Sequence, residues 1–509
     1  MQESVVNNRQ IAKNTIFLYI RMIVVMLIGL YTVRAYLSIL GETDYGLYNV
    51  IGGVVSMFAF LNGTLATSSQ RYFSQALVRN DKESINRVFC LNLTIYMILI
   101  VIVIVFLETV GLWFVNTKMT IPSERMMAAN VVYQLSIATF VLQLFSVPYN
   151  ALIISHERMK AFAYIGILEA FFRLGFVFIL ASLCYDKLIF YAVFFLVLQL
   201  LITGIFFVYC LRNFSESRFR FYWNRKDAFE MIGFSGWHLL GTFSTVVRSQ
   251  GLNILINLFF NPAVNAARAV AFQIDNAINQ LSNNFFVAVK PQMYKSYSNG
   301  EIDALNNLVL RSSLICYFLV SILSVPFFFN VDFILSLWLK EVPEYTIAFT
   351  QLVIIGGLID SLSGSAICPA LATGKIKVFY LVTGTLFILT LPIAYFGLKL
   401  GYDPTSTMVV SIAVSLLAVF ARAWLLTGLI QLPIKKYYLL IAKLIFVTII
   451  IGFLTYCTTV LFENNLIALL VSTLFSSLLH CIIYLFSVCT KQDKEAIVSI
   501  VKNKIHHIR

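Results

Sequence analysis

The sequence has little charge and no polar stretch long enough to fold by itself in water. Of its 509 residues, 12% are charged and 60% are hydrophobic, against about 25% and about 45–50% in soluble domains. The mean hydropathy is +0.85. The longest polar connection, near Leu211–Asp227, is too short to enclose a core. These absences exclude a soluble domain and leave a polytopic membrane protein. Cysteine-based chemistry is missing as well. Cys90, Cys184, Cys210, Cys316, Cys368, Cys457, Cys481 and Cys489 are scattered, mostly in apolar runs, with no Cys-x-x-Cys and no Cys/His metal spacing. They read as small packing residues, and no metal site or cofactor is expected. The opening "MQESVVNNRQIAKN" lacks a cleavable signal pattern, so the first apolar segment is expected to be a retained span.

What is there is a series of apolar segments. A helical span needs about 20 mostly apolar residues. On that basis fourteen spans are expected, at 13–38, 46–70, 88–115, 127–153, 161–183, 188–211, 229–259, 263–289, 307–330, 345–371, 377–398, 406–430, 437–461 and 465–489. Alternate loops differ in charge. One set carries most of the lysines and arginines, among them Arg71, Arg79, Lys82 and Arg87, then Arg158 and Lys160, then Arg212 to Lys226, and the tail from Lys491. The other set holds only Lys118, Arg125, Lys187, Lys340 and Lys399. Basic loops stay in the cytoplasm, so both termini are expected there. The same rule accounts for the net charge of +13 without nucleic acid as a partner. The tail "KQDKEAIVSIVKNKIHHIR" intersperses Ile and Val among lysines, which suits either the anionic leaflet surface or solvent.

Loop motifs recur about 220 residues apart. Leu40–Val50 sits where Phe260–Val270 sits. "RNDKESINRV" (Arg79–Val88) matches "NGEIDALNNL" (Asn299–Leu308), with Asp81 over Glu301, Glu83 over Asp303 and Asn86 over Asn306. Val147–Phe162 resembles Cys368–Phe379 with about one turn deleted, each running Pro, helix end, basic hairpin, Phe. An all-α fold follows: a six-helix bundle at 1–211, a cytoplasmic linker at 212–228, a second bundle at 229–432, a helix pair 13–14 at 433–489 and a basic tail at 490–509. Six is even, so the two bundles are parallel repeats, an arrangement that transporters commonly use.

The eighth span is the anomaly. "AVAFQIDNAINQLSNNFFVAVKP" (Ala269–Pro291) carries eight polar side chains at span length. At 100° per residue, Ile274, Ala277, Ile278, Leu281 and Phe285 share about a 100° arc, which is expected to be the only part facing lipid. The rest requires protein or water, since unpaired polar groups in hydrocarbon cost several kcal/mol each. The seventh span repeats Ser235, Thr242 and Ser249, with His238, Asn253 and Asn257 near the same face. A hydrated cavity lined by Asn276, Asn279, Gln280 and Asn283 is expected, joined by Arg21, Arg34, Arg248 and Arg268 as contacts to an anion. Interhelical hydrogen bonding in a dry bundle is the competing reading, and Arg34 and Arg268 could instead snorkel. Asp275 and Asp360 are candidates for coupling to a proton or Na+. Glu169 and Arg173, at i and i+4, form a self-neutralising pair. Arg422 and Lys443 are expected to snorkel toward the cytoplasmic interface.

"TVRAYLSILGETDYGLYNVIGG", with Leu40, Gly41, Tyr45 and Gly46, resembles the opening of the bacterial Wzx-type polysaccharide and O-antigen flippases of the multidrug/oligosaccharidyl-lipid/polysaccharide (MOP) superfamily. "AFQIDNAINQLSNNFFVAVKPQM" is similar to their eighth helix. The resemblance implies a MATE-like V of two six-helix bundles plus two helices. It implies a multi-pass protein of the bacterial inner membrane that flips undecaprenyl-pyrophosphate-linked oligosaccharide to the periplasmic leaflet, with membrane lipids, a polysaccharide polymerase and a chain-length regulator as partners. Met22 after Arg21 departs from the Arg-Asp pair of the lipid II branch. The alternatives are a cation-coupled multidrug or small-molecule exporter and an O-antigen polymerase. The second is disfavoured by short outer loops and the absence of Asp-x-Asp, so an enzyme is not expected.

Overall fold

A computed structural model describes residues 8–484, apart from 57, 79–80, 118, 120, 122, 183–185, 261, 340–341 and 463–464. Every regular element among them is helical. In chain order the α-helices are α1 (Asn8–Ser56), α2 (Ala59–Val78), α3 (Lys82–Phe106), α4 (Leu112–Thr117), α5 (Met126–Ser155), α6 (Met159–Ser182), α7 (Lys187–Asn213) and α8 (Arg225–Phe259). There follow α9 (Pro262–Ser298), α10 (Ile302–Phe329), α11 (Val331–Trp338), α12 (Thr346–Thr373), α13 (Lys377–Lys399), α14 (Ser406–Ile430), α15 (Ile434–Val460) and α16 (Asn465–Ile483). The basic tail lies outside the described residues.

Among those residues, eleven helices are long and apolar enough to cross a membrane. The chain is a multi-pass membrane protein. The second, seventh and eighth expected spans are also helical, but they fall on α1–α2, α8 and α9, whose Asn, Gln, Ser and Thr content keeps them below the apolarity of the others. The second expected span, 46–70, is divided between the end of α1 at Ser56 and the start of α2 at Ala59. Before it, Gly41 adopts φ 78, ψ 168, which breaks α1 after its membrane-spanning part Gln10–Gly41. A positive φ of this kind is open to glycine at no steric cost.

The chain forms two compact units: Met1–Thr242 with Val287–Glu301, and Phe243–Phe286 with Ile302–Arg509. Helices α8 and α9 thus each contribute to both. In the first unit, α5 packs along α7 and α2, and α1 along α6. Its core holds Tyr36, Tyr133, Phe140 and Tyr191. Helix α3 passes into a π-helical turn at Leu107–Gly111, and the Tyr133 hydroxyl donates to the Leu107 carbonyl at 2.7 Å. The same carbonyl accepts the Leu112 N–H in the five-residue bond of that turn, so Tyr133 is a second donor to it. The hydroxyl also fills the place where a side chain at residue 111 would sit, so only glycine fits there. Arg125 joins Asp44 and Asp186, each at 2.7 Å, tying the segment after the Gly41 break to the starts of α5 and α7. In the second unit, α12 packs along α14 and α10, and α15 along α16 and α10. Cys90, Cys210, Cys316 and Cys368 are buried among helices, while Cys457 and Cys481 are exposed.

The internal repeat has a physical counterpart. Asn86 on α3 donates to the carbonyls of Glu216 and Arg218, at 2.8 and 2.7 Å, just beyond α7. Asn306 on α10 donates to those of Ile430 and Gln431, at 3.2 and 3.4 Å, where α14 ends. The last carbonyls of a helix have no partner within it, and Asn306 supplies one to α14, whereas Asn86 holds the segment that follows α7. Asn306→Ala is therefore expected to cost about 1–3 kcal/mol, the penalty of leaving a buried acceptor unmatched. Thermal unfolding in detergent measures it; melting at the wild-type temperature would remove the capping role.

Candidate functional site

The polar helix and most of the intramembrane charges gather in the second unit. Its part of α9 has two faces. Ile278 and Phe285 are buried, and Ile278 packs with Val320, Val331, Leu335 and Ile354. Gly357 on α12 makes room for Ile278: a Cβ there would lie 2.8 Å from its Cγ2. Ile274 and Leu281 are half-buried, and only Ala277 of the five apolar positions is exposed. The apolar arc is thus seated inside the unit and does not face lipid, because the small residues of α12 let α9 approach along it. Gln273, Asn276, Gln280 and Asn283 are exposed instead, while Asp275 and Asn279 are half-buried. Asn279, one turn along, hydrogen-bonds Asp275.

Arg248 on α8 is half-buried. Its Nη1 donates to Ser415 Oγ on α14 at 2.9 Å, and its Cζ lies 4.3 Å from the centre of the Phe387 ring on α13. Arg422 on α14 reaches the same ring, with Cζ at 5.3 Å. It is 6% exposed and its buried Nε has no hydrogen-bond partner among the described residues. Sequence reasoning sent Arg422 to the interface by snorkelling; the structure turns it inward. A favourable guanidinium–ring contact holds within about 6 Å, and α13 supplies a ring that both arginines share. Arg422 feels the charges of Asp360 and Arg248, and Asp275 those of Asp360, Arg248 and Arg268. The cluster is therefore three arginines against two aspartates within one unit. Asp360 is half-buried on α12. The signal for Phe387 was not legible, since one Phe among 45 in the chain carries no local mark.

Arg268 takes a different role. It is 5% exposed and does not snorkel. Its Nη1 donates to Asn253 Oδ1 at 3.2 Å and its Nη2 to the Ser249 carbonyl at 3.1 Å, with Cζ 4.1 Å from the Phe272 ring centre. The stripe on α8 that holds Ser249 and Asn253 is consumed in binding α9, in the manner of interhelical hydrogen bonding.

The remaining sequence-selected residues lie in the first unit. Arg21 sits over the Phe162 ring at 4.4 Å, in a gap left by Gly166, where a Cβ would overlap its Nε. Arg34 is exposed. Arg173 meets Glu169 at 2.6 Å along α6, and its carbonyl accepts from the Tyr36 hydroxyl at 2.6 Å. No group of three or more His, Cys, Asp or Glu is placed to hold a metal ion among the described residues.

A family model described as "Polysaccharide biosynthesis protein" matches residues 11–296. No curated protein sequence matches the chain. Solved structures share its fold. A MATE transporter in complex with MaD3S is 15% identical with a TM-score of 0.70, covering 82% of this chain and 96% of its own. An outward-facing multidrug resistance MATE family transporter of the MOP superfamily is 13% identical with a TM-score of 0.72, covering 85% and 99%. A MOP superfamily transporter from Pyrococcus furiosus, described for the reverse polarity of its binding pocket, is 14% identical with a TM-score of 0.66, covering 83% and 96%. The fold is MATE-like.

Proposed function

The chain belongs to the polysaccharide biosynthesis protein family, and from that membership together with the charges of its second unit we propose that it is a flippase. Its substrate is an undecaprenyl-pyrophosphate-linked polysaccharide repeat unit, moved from the cytoplasmic to the periplasmic leaflet of the bacterial inner membrane by alternating access. Both termini lie in the cytoplasm, and the product passes to a polymerase and its chain-length regulator. The observation that carries the reading is the Arg248–Phe387–Arg422 group. Guanidinium forks match phosphate oxygens, and buried arginines in spanning helices mark pathways. Beside it, an exposed row of Asn and Gln on α9 offers donors and acceptors to sugar hydroxyls, and hydrocarbon would not accept that row. A cationic drug is a poor match for three arginines.

Reconstitution tests this. Purified protein in vesicles should move a fluorescent lipid-linked oligosaccharide between leaflets and should not expel a cationic dye. Dye efflux without movement of the lipid-linked sugar would establish the exporter reading instead. Asp275 and Asp360 serve as the coupling pair for H+ or Na+. Asp275→Asn is expected to leave flipping at equal ion concentrations intact and to abolish its acceleration by a gradient. Undiminished acceleration would remove Asp275 from coupling.

A further inference from the structure

The hairpin between α5 and α6 holds a carboxylate that the proposed transport site does not use. Glu157 is 8% exposed. It accepts from Gln292 Nε2 at 2.7 Å and pairs with Lys295 Nζ at 2.5 Å, both on the last turns of α9. On the other side of the hairpin, His156 Nε2 meets Glu216 Oε1 at 2.8 Å and its ring stacks on Phe214 at 4.1 Å. Two adjacent residues thus fasten the end of α9 and the segment after α7 to one turn.

Three observations separate this contact from ordinary packing. First, Glu157 has φ 58, a left-handed backbone that favours glycine. A glutamate persists there although glycine would ease the turn, so its side chain is what the position uses. Second, α9 is divided: its residues up to Phe286 belong to the second unit and those from Val287 to the first. Pro291 lies inside α9 just past that division. A helical proline removes the hydrogen bond to the carbonyl four residues back and provides a place to bend. Third, the gripped segment keeps polar atoms unmatched. Gln292 Oε1 and Ser296 Oγ are buried without partners among the described residues. Apolar side chains would hold α9 in place at less desolvation cost, and buried ion pairs are best attested as devices that select one arrangement over another.

We propose that Glu157 is a catch: it fixes residues 287–298 of α9 to the first unit in this conformation and releases them in another, with α9 bending at Pro291. The ion pair selects the closed arrangement, and the unmatched atoms of Gln292 and Ser296 favour leaving it. The catch does not depend on what the protein carries.

The test uses the full chain in lipid nanodiscs with Met293→Cys as reporter. Met293 is fully buried in the gripped segment, and native Cys90, fully buried in the same unit, is kept as control. The other cysteines are replaced by serine. Modification by a soluble maleimide is followed at each site by peptide mass spectrometry. Glu157→Gln and Glu157→Gly should each speed modification at 293 at least about tenfold through local opening, with Cys90 unchanged. The glycine variant is informative because it eases the turn while removing the carboxylate. An unchanged rate at 293 in either variant would overturn the catch. So would an equal rise at Cys90, which would mean that the whole unit has loosened.

Discussion

Arg248→Ala is expected to reduce the proposed polysaccharide export by about tenfold to a hundredfold, with the amount of protein in the membrane unchanged. Hydrogen bonds to a charged group contribute about 1.5–3 kcal/mol, and each 1.4 kcal/mol is about tenfold. The effect falls on transport because Arg248 is half-buried and its partner Ser415 is a neutral hydroxyl at 2.9 Å. Removing the guanidinium strands no buried opposite charge that it alone pairs. Arg248→Lys should recover part of the activity, since an ammonium keeps the charge and loses the planar fork. Arg422→Ala should behave differently. Arg422 is buried and feels the charge of Asp360, so its loss weakens the compensation of that carboxylate and folded protein should fall along with activity. Surface polysaccharide and membrane protein are measured in the same cells. Normal polymer in Arg248→Ala would exclude it as a contact to the pyrophosphate.

Gly364→Ala should destabilise the second unit by about 1–3 kcal/mol, the usual cost of overpacking a filled core. A Cβ at 364 on α12 would overlap Cε2 and Cδ2 of Phe286 on α9. Phe286 is 4% exposed and sits edge-on to Phe285 at 5.3 Å, so the ring has little room to retreat. The melting temperature in detergent should fall by about 2–4 °C per kcal/mol, as for domains of about 150–250 residues. Phe286→Leu in the same chain should restore most of it, because the two changes share one space. A single variant that melts with the wild type would show that α9 and α12 do not meet there.

The hairpin also carries a local electrostatic effect. Its hydrogen bond from His156 holds the Glu216 carboxyl below its ordinary range. Nothing in "ISHERMK" marks that role, because Glu216 is 60 residues away.

Some features follow from local sequence alone. Spanning helices require unbroken apolar runs, so hydropathy located most of them, and the charge of the loops followed from where lysine and arginine tolerate water. The matched Asn86 and Asn306 each donate to backbone carbonyls near or beyond the end of a later helix, a pairing over more than a hundred residues. The separation of polar from apolar residues on α9 was legible because helical phase is a property of spacing. Which way each face turns was not. The arc of Ile274, Ile278 and Phe285 looked suited to lipid until α12 supplied Gly357 and let α9 pack inward. Arg422 looked able to reach the interface until α13 offered the Phe387 ring and Arg248 and Asp360 came within reach. Glu157 is one acid in a basic hairpin, and only α9 brings Gln292 and Lys295 to it. Periodicity and composition are set by neighbours within a few turns. The direction in which a charge is buried depends on partners on other helices, from Phe387 beside Arg422 to Lys295 beside Glu157, and only the tertiary structure brings them together.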